Sequence, residues 1–426
     1  MTVCRILTGI AGCLLITTSA APAQPSKVIE LRSARQLIGR MVNDEQVREL
    51  IGDVHFVQVT SGGGLVKVWC DRGLQYLSQN RIELYGHVRV LRDSVTITSP
   101  DGVYDGSARR MESHNGVRLE RGRTILTAQM GEYFVDEKRS HFHGDVVLID
   151  SASMITCNDL TYFEAEARSV ATGRVHVIES TNGTDVYGDS LVHIEQARYT
   201  RVMNNPRLVK IDTSASGAID TMVVASRVMH SYQDSVERFI AEDSVRMVRS
   251  DMAAECRFAT FFTKRDMIRL EGDPIVWSAE NQITGDSMTV RLAERRIRSL
   301  IVRRHAMAAS RADSVLLQRF HQLSGRDMTL WFARNELERV DVERNATSLY
   351  YLSDKSGPNG INRASGDRIV IEFLGGSVER IRILGGVQGQ YFPEAMIARR
   401  EPDYNLDGFR WREHRPVRRG LQVSND

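Results

Sequence analysis

Lysine and cysteine are scarce in this chain: six lysines and five cysteines in 426 residues. Only Cys70, Cys157 and Cys256 lie beyond the first 23 residues, an odd number at wide spacing, which excludes a disulfide framework and the paired spacing of a metal site. Charge of one sign is also missing. Lys+Arg of 56 against Asp+Glu of 54 leaves a formal +2, too little for the bulk basic field of a nucleic-acid binder. Past the N-terminus, no stretch approaches the roughly 20 apolar residues of a membrane helix. There is no Gly-x-Ser-x-Gly elbow, no P-loop and no dinucleotide fingerprint, so no recognised catalytic motif and no cofactor is read from the sequence.

What remains is a globular composition, 42% hydrophobic and 26% charged. The length allows two or three domains or one repeat structure. Almost all of the basic residues are arginines, whose forks suit phosphate and carboxylate. Because they are spread along the whole chain, they read as compositional bias rather than as one binding patch. The N-terminus has the form of an export signal: a short basic region to Arg5, an apolar run from Ile6 to Ile16, and Ala21-Pro22-Ala23 as a cleavage site. Ile10-Ala11-Gly12-Cys13 resembles a lipoprotein box, but the apolar run continues past it, which favours an ordinary signal peptide over residues 1–23. The expected mature protein is exported and soluble.

The dominant signal is an internal repeat. Gly52-Asp53-Val54-His55-Phe56 recurs as Gly86-His87-Val88-Arg89-Val90, Asn115-Gly116-Val117-Arg118-Leu119, Gly144-Asp145-Val146-Val147-Leu148 and Gly173-Arg174-Val175-His176-Val177. Later copies begin at Asn204, Asp243 and Gly272, and the starts lie mostly about 29 to 39 residues apart. Each copy is a turn residue followed by alternating apolar positions, the period of a half-buried strand. A second strand ending in an aromatic sits between copies, as in Gly102-Val103-Tyr104, Gly131-Glu132-Tyr133-Phe134 and Leu160-Thr161-Tyr162-Phe163. Turn signals such as Ser61-Gly62-Gly63-Gly64, Asp105-Gly106 and Asn182-Gly183 separate the strands. From Gly285 the copies lengthen: those starting at Gly285, Gly325 and Gly366 are 40 and 41 residues apart, each closing on a corner at His305-Ala306, Asn345-Ala346 or Gly386-Val387. Residues 33–49 also read as strand, turn and strand. The chain is therefore expected to be all-β. Cys157 and Cys256, each five residues before an aromatic, read as small buried side chains.

These repeats, above all Gly-x-Val with a polar turn and a Tyr-ending strand, resemble the OstA-like family of lipopolysaccharide-transport proteins over residues 28–393. That family includes the periplasmic bridge protein of its pathway and the N-terminal periplasmic domain of the outer-membrane partner. Ser324-Gly325-Arg326-Asp327-Met328-Thr329-Leu330-Trp331-Phe332 and Gly389-Gln390-Tyr391-Phe392-Pro393 are the most diagnostic segments. The resemblance implies an elongated open β-jellyroll of stacked V-shaped strand repeats, with shorter repeats over 24–284 and longer ones over 285–393. It implies that lipopolysaccharide is the ligand, its acyl chains in an apolar groove. It also implies edge-strand pairing with other jellyroll transport proteins and with the outer-membrane assembly barrel, in the periplasm or beside the outer membrane. By alternation, Val54, Phe56, Val88, Val90, Val117, Leu119, Val146, Leu148, Val175 and Val177 face the interior and are the lipid-groove candidates. The same pattern would fill a closed core, which leaves a structural or adhesive β-solenoid as the alternative.

The chain departs from the family in length and in its ending. Residues 394–426 are too few for a membrane barrel and are rich in arginine, among them Arg399, Arg400, Arg410, Arg412, Arg415, Arg418 and Arg419. Such a tail suits either docking on a partner or on lipid phosphates, or a solvated, flexible end. His141-Phe142-His143 puts two imidazoles on one side of a strand but lacks a third placed ligand, so no metal is assigned. Asp101 and Asp105 flank a turn and read as turn formers rather than an acid–base pair. A carbohydrate-active solenoid would need a stripe of outward carboxylates, and the outward positions are mixed.

Overall fold

The repeated Gly-x-Val motifs are corners. In the computed structural model, which describes residues 29–421 except 43–44, 60–64, 93, 151–152, 180–182, 214–218, 294–295, 334–335 and 355–356, two consecutive residues at most corners adopt positive φ. The pairs include Gly52/Asp53, Gly86/His87, Gly144/Asp145, Gly173/Arg174, Asp243/Ser244, Gly272/Asp273, Arg304/His305 and Arg344/Asn345. The export signal read over residues 1–23 and the turn at 61–64 lie outside the described residues. Each corner is a β-bulge, two residues facing one. Thus Ile51 pairs with Arg72 and the next partners are Val54 and Cys70. On the other side of the corner, a residue of the preceding strand segment donates its N–H to the first corner carbonyl, as from Arg35 to Gly52, Gln129 to Gly144, Arg257 to Gly272 and Asp286 to Arg304, at 2.9–3.2 Å. Glycine, asparagine and aspartate recur here because they tolerate left-handed backbone at least cost.

The chain packs as two units, residues 1–204 and 205–426. In the first, long antiparallel strands follow one another as a meander: Glu45–Val59, Leu65–Tyr76, Arg81–Arg92 and Val95–Asp105, then Arg139–Ile149, Ser153–Phe163, Arg168–Glu179 and Thr184–Ile194. Between these sets the corner is fully broken, so that Arg110–Ser113 and Val117–Arg121 are separate strands, as are Thr124–Ala128 and Met130–Phe134. Every corner divides its strand into two halves that line a common interior. One set of halves, the turn arm, ends in four-residue hairpins whose last residue is left-handed: Asn80, Arg109, Lys138, Ala167 and Arg198. Successive hairpins are stacked by backbone bonds, from Gly106 N–H to Asn80, Val135 to Arg109, Glu164 to Lys138 and Glu195 to Ala167, at 2.8–3.0 Å. The other set, the loop arm, ends in the remaining connections. The two arms meet across the interior where Arg92 Nη1 donates to Tyr133 Oη at 3.5 Å.

The second unit repeats the plan with longer strands, Arg296–Arg311, Phe320–Ala333, Glu336–Asp354 and Gly357–Leu374. Gly285, Gly325 and Gly366, read from sequence as repeat starts, lie opposite the corners and have ordinary φ. A Cβ at Gly325 would collide with Val342 Cγ1, so glycine is needed there for space.

The arginine-rich tail is docked on the second unit over its described length, through a few buried side chains, while the arginines named above stay exposed. Residues 394–421 run back over the outer face of the second unit's loop arm. There the outward positions Met307, Leu349, Tyr351 and Ile361 are apolar, and they bury Ile397 and Leu406 with Phe409 alongside. Phe320 packs on Phe409 and Trp411 at centroid distances of 5.1 and 4.8 Å. Buried Arg319 binds Glu394 at 2.5 Å and Glu401 at 3.2 Å, Gln282 bonds the backbone of Arg410 and Arg412, and Arg418 reaches the Thr221 carbonyl. Composition alone hid this docking, because the apolar anchors are few and follow no period.

Two glycine–alanine exchanges with opposite expected signs test the backbone account. Gly325→Ala is expected to destabilise the chain by about 1–3 kcal/mol through overpacking against Val342. Ala167→Gly relieves a left-handed alanine and is expected to stabilise by about 0.5–1 kcal/mol. Thermal melts of the two variants against the parent chain read both.

Candidate functional site

Alternation survives each corner. The interior residues are four apart on the bulged strand, as Ala171 and Val175, and three apart on its partner, as Cys157 and Leu160, so both arms keep their apolar side inward. All ten sequence-assigned residues fall on this inner face of the first unit. Nine are buried, Val54 and Val177 with no exposed surface, and Val90 is half-buried. They belong to two rows on the loop arm.

Beside the corner, Val54, Val88, Val117, Val146 and Val175 face Cys70, Ser99, Ala128, Cys157 and Gly188. The facing residue is small each time, and in the second unit Cys256 faces Val245 in the same way. The three cysteines are therefore fillers, and burial pushes their thiols up, Cys70 to about 11 and Cys157 and Cys256 to about 12, which keeps them protonated and unreactive. One step further out, a single register row runs Phe56, Val68, Val90, Ile97, Leu119, Leu126, Leu148, Ile155, Val177, Val186 across ten strands without a polar residue. The sequence assignment missed its alternate members because it followed only the strands that begin with Gly-x-Val.

The inner rows end in the open. In the first unit, Leu31 pairs with Phe56 and Leu37 with Leu50, and Leu37 is 56% exposed. In the second, the row Leu300, Leu330, Val340, Ile371 ends at Ile381, which is 55% exposed. The strands that carry these ends, Gln36–Val42 and Ser377–Leu384, are each paired along one side among the described residues. Each presents an unpaired backbone edge beside an apolar inner face.

Two family models match the sequence. One, described as OstA-like protein, covers residues 26–138, and the other, described as LptA/(LptD N-terminal domain) LPS transport protein, covers residues 117–296. The chain belongs to the OstA-like family of lipopolysaccharide-transport proteins. Among solved structures, it is similar to LptH, the LptA-homologous periplasmic component of the lipopolysaccharide transport device of Pseudomonas aeruginosa. That match covers 33% of this chain and 95% of LptH at 11% identity, with a TM-score of 0.26. No curated protein matches.

The polar residues singled out from the sequence of this OstA-like chain have structural partners. His143 Nδ1 lies 2.5 Å from Asp159, and His141 lies between Glu132 and Asp159 at 3.5 Å from each, all on the outer face. Asp101 binds the broken corner, accepting from the His114 N–H, from Ser113 and from Asn115. Although burial opposes it, these bonds hold its carboxyl below the usual range. Asp105 accepts from the N–H groups of Ser107 and Ala108 and shapes the hairpin. Among the described residues no helix is long and apolar enough to cross a membrane.

His193 is an inward imidazole that sequence reading overlooked. It sits on the turn arm, 3.1 Å from Thr200 Oγ1, and burial lowers its pKa to about 4. Its folded pKa lies below the unfolded value of 6.5, so the unfolded chain takes up the extra proton. The stability from neutral burial is present above pH 6.5 and is lost as the pH falls through about 4. His193→Gln is expected to flatten the fall in melting temperature between pH 7 and 5, measured against the parent chain.

Proposed function

We propose that this chain is a periplasmic carrier, not an enzyme, which binds the acyl chains of lipopolysaccharide along its apolar interior and passes the molecule toward the outer membrane. The observation that carries this reading is the uninterrupted inner row of ten apolar residues, with apolar inner faces exposed at Leu37 in the first unit and Ile381 in the second. Acyl chains seated there would gain about 25 cal/mol for each Å2 of apolar surface removed from water, with no catalytic group required. The edges at Gln36–Val42 and Ser377–Leu384 suit strand addition by neighbouring jellyroll proteins of the pathway and by the outer-membrane assembly barrel. Such pairing would join the apolar inner faces of successive molecules.

A second reading, a sealed structural solenoid, is favoured by the near-complete burial of Val54, Val146 and Val177. The carrier reading requires the arms to part when lipid enters, and the half-buried Val90 marks one place on the inner row where they fit less tightly. In-cell photo-crosslinking distinguishes the two. A photoreactive residue at Val90 or Leu148 is expected to yield lipopolysaccharide adducts, whereas one at outward Arg89 yields none. Absence of adducts from both inward positions, in cells that make lipopolysaccharide, would establish the sealed core.

A further inference from the structure

The interior changes character with distance from the corner. Against the corner both arms are apolar, but the outermost inward row of the turn arm runs Tyr133, Ser140, Tyr162, Ser169, His193, Thr200 in strict register. The opposing end of the loop arm carries inward Arg92 and Arg121. The first bonds to a tyrosine across the interior, and the second, at the same sequence offset, acts on its tyrosine as a charge. Arg92 reaches Tyr133 at 3.5 Å, the long limit of a hydrogen bond. The next rung, 29 residues on in both arms, is Arg121 and Tyr162 with Glu195.

On that rung the polar atoms are unsatisfied. Tyr162 is 2% exposed and its Oη has no partner, and buried Arg121 Nη1 and Glu195 Oε2 have none either. Each such atom costs free energy unless something fills its hydrogen-bonding capacity. The unmet set is a guanidinium donor, a carboxylate acceptor and a phenol that does either. A phosphate would satisfy the donor but would face Glu195 and Glu164, both of which act on Tyr162 as negative charges. Hydroxyl and amide groups, which donate and accept without charge, match all three.

We propose that Arg121, Tyr162 and Glu195 form a head-group site for an uncharged sugar unit, through its hydroxyls or its acyl amide, while the attached acyl chains lie on the apolar rows nearer the corner. The site rests on the carrier reading above and specifies which part of a glycolipid the rim would hold. It also explains why the aromatics of this outermost inward row, Tyr133 and Tyr162, carry a hydroxyl, whereas inward Phe56 and Phe142 do not.

The test compares two uncharged amphiphiles with the same dodecyl chain, used below their micelle concentrations. One is an alkyl glucoside, and the other is an alkyl polyoxyethylene ether, which has acceptors along its head but no ring hydroxyls. Binding to the full chain is measured by calorimetry for the parent and for Tyr162→Phe, Glu195→Gln and Arg121→Met. Each variant is expected to bind the glucoside about tenfold more weakly and the ether within about twofold of the parent. Tyr162→Phe is expected to melt no lower than the parent, since it removes an unpaired buried hydroxyl, so its loss of binding is not a folding defect. Unchanged glucoside affinity in all three variants, or equal losses for both amphiphiles, would overturn the head-group site and leave the carrier reading standing. A parent chain that binds neither amphiphile would overturn both.

Discussion

A backbone hydrogen bond from the preceding strand segment to the first of two left-handed residues holds this architecture in shape. A bulge of two residues against one normally interrupts a sheet locally. Here it recurs at nearly the same height in successive strands, and the interruptions align into a hinge line. Because the bulged strand spends four residues where its partner spends three, the side-chain phase is conserved through the bend. An ordinary alternating sequence can thus present one apolar side to a shared interior from both arms. Without this phase rule the alternation that places Ile155 inward would put Leu160, on the same unbulged strand, at the surface.

The outer surface follows from the same repeat. At the hairpins of the turn arm, one aromatic points inward and the next points out. The outward ring is covered by an arginine across the turn, Arg139 over Phe134 at 3.9 Å and Arg168 over Phe163 at 4.1 Å. The same arginines bind carboxylates two residues earlier, Arg139 with Glu137 at 2.7 Å and Arg168 with Glu166 at 2.6 Å. Each exposed pair contributes little stability. Arg81 over Tyr76 and Arg238 over Tyr232 repeat the contact, so these arginines are surface chemistry in a chain whose net charge stays near zero.

The sequence showed the corners and the inward strands well, because left-handed pairs select glycine, asparagine and aspartate, and the valine that follows is a fixed landmark. It showed less where geometry rather than local conformation dictates the residue. Gly325 resembles Gly144 in sequence, yet one is required for space and the other for φ of 78°. The recurrence of Tyr133 and Tyr162 was visible as strand-favouring aromatics. Their approach to Arg92 and Arg121 was not, since it depends on two arms folding toward each other. Ile397, Leu406 and Trp411 were illegible as anchors, because the outward apolar face that receives them breaks the rule that outward positions are polar.

The docked tail has a consequence for how the second unit folds. Its meander is built from neighbours in sequence, contacts that form quickly and can accumulate strand by strand. The tail runs against that order. Arg418 bonds to Thr221 across 197 residues, and Arg412 pairs with Glu255 across 157. Closing such loops is slow and comes after local pairing. The outer apolar face around Leu349 and Ile361 is thus uncovered until the tail arrives, and this last, most distant contact marks a late step in the maturation of the unit.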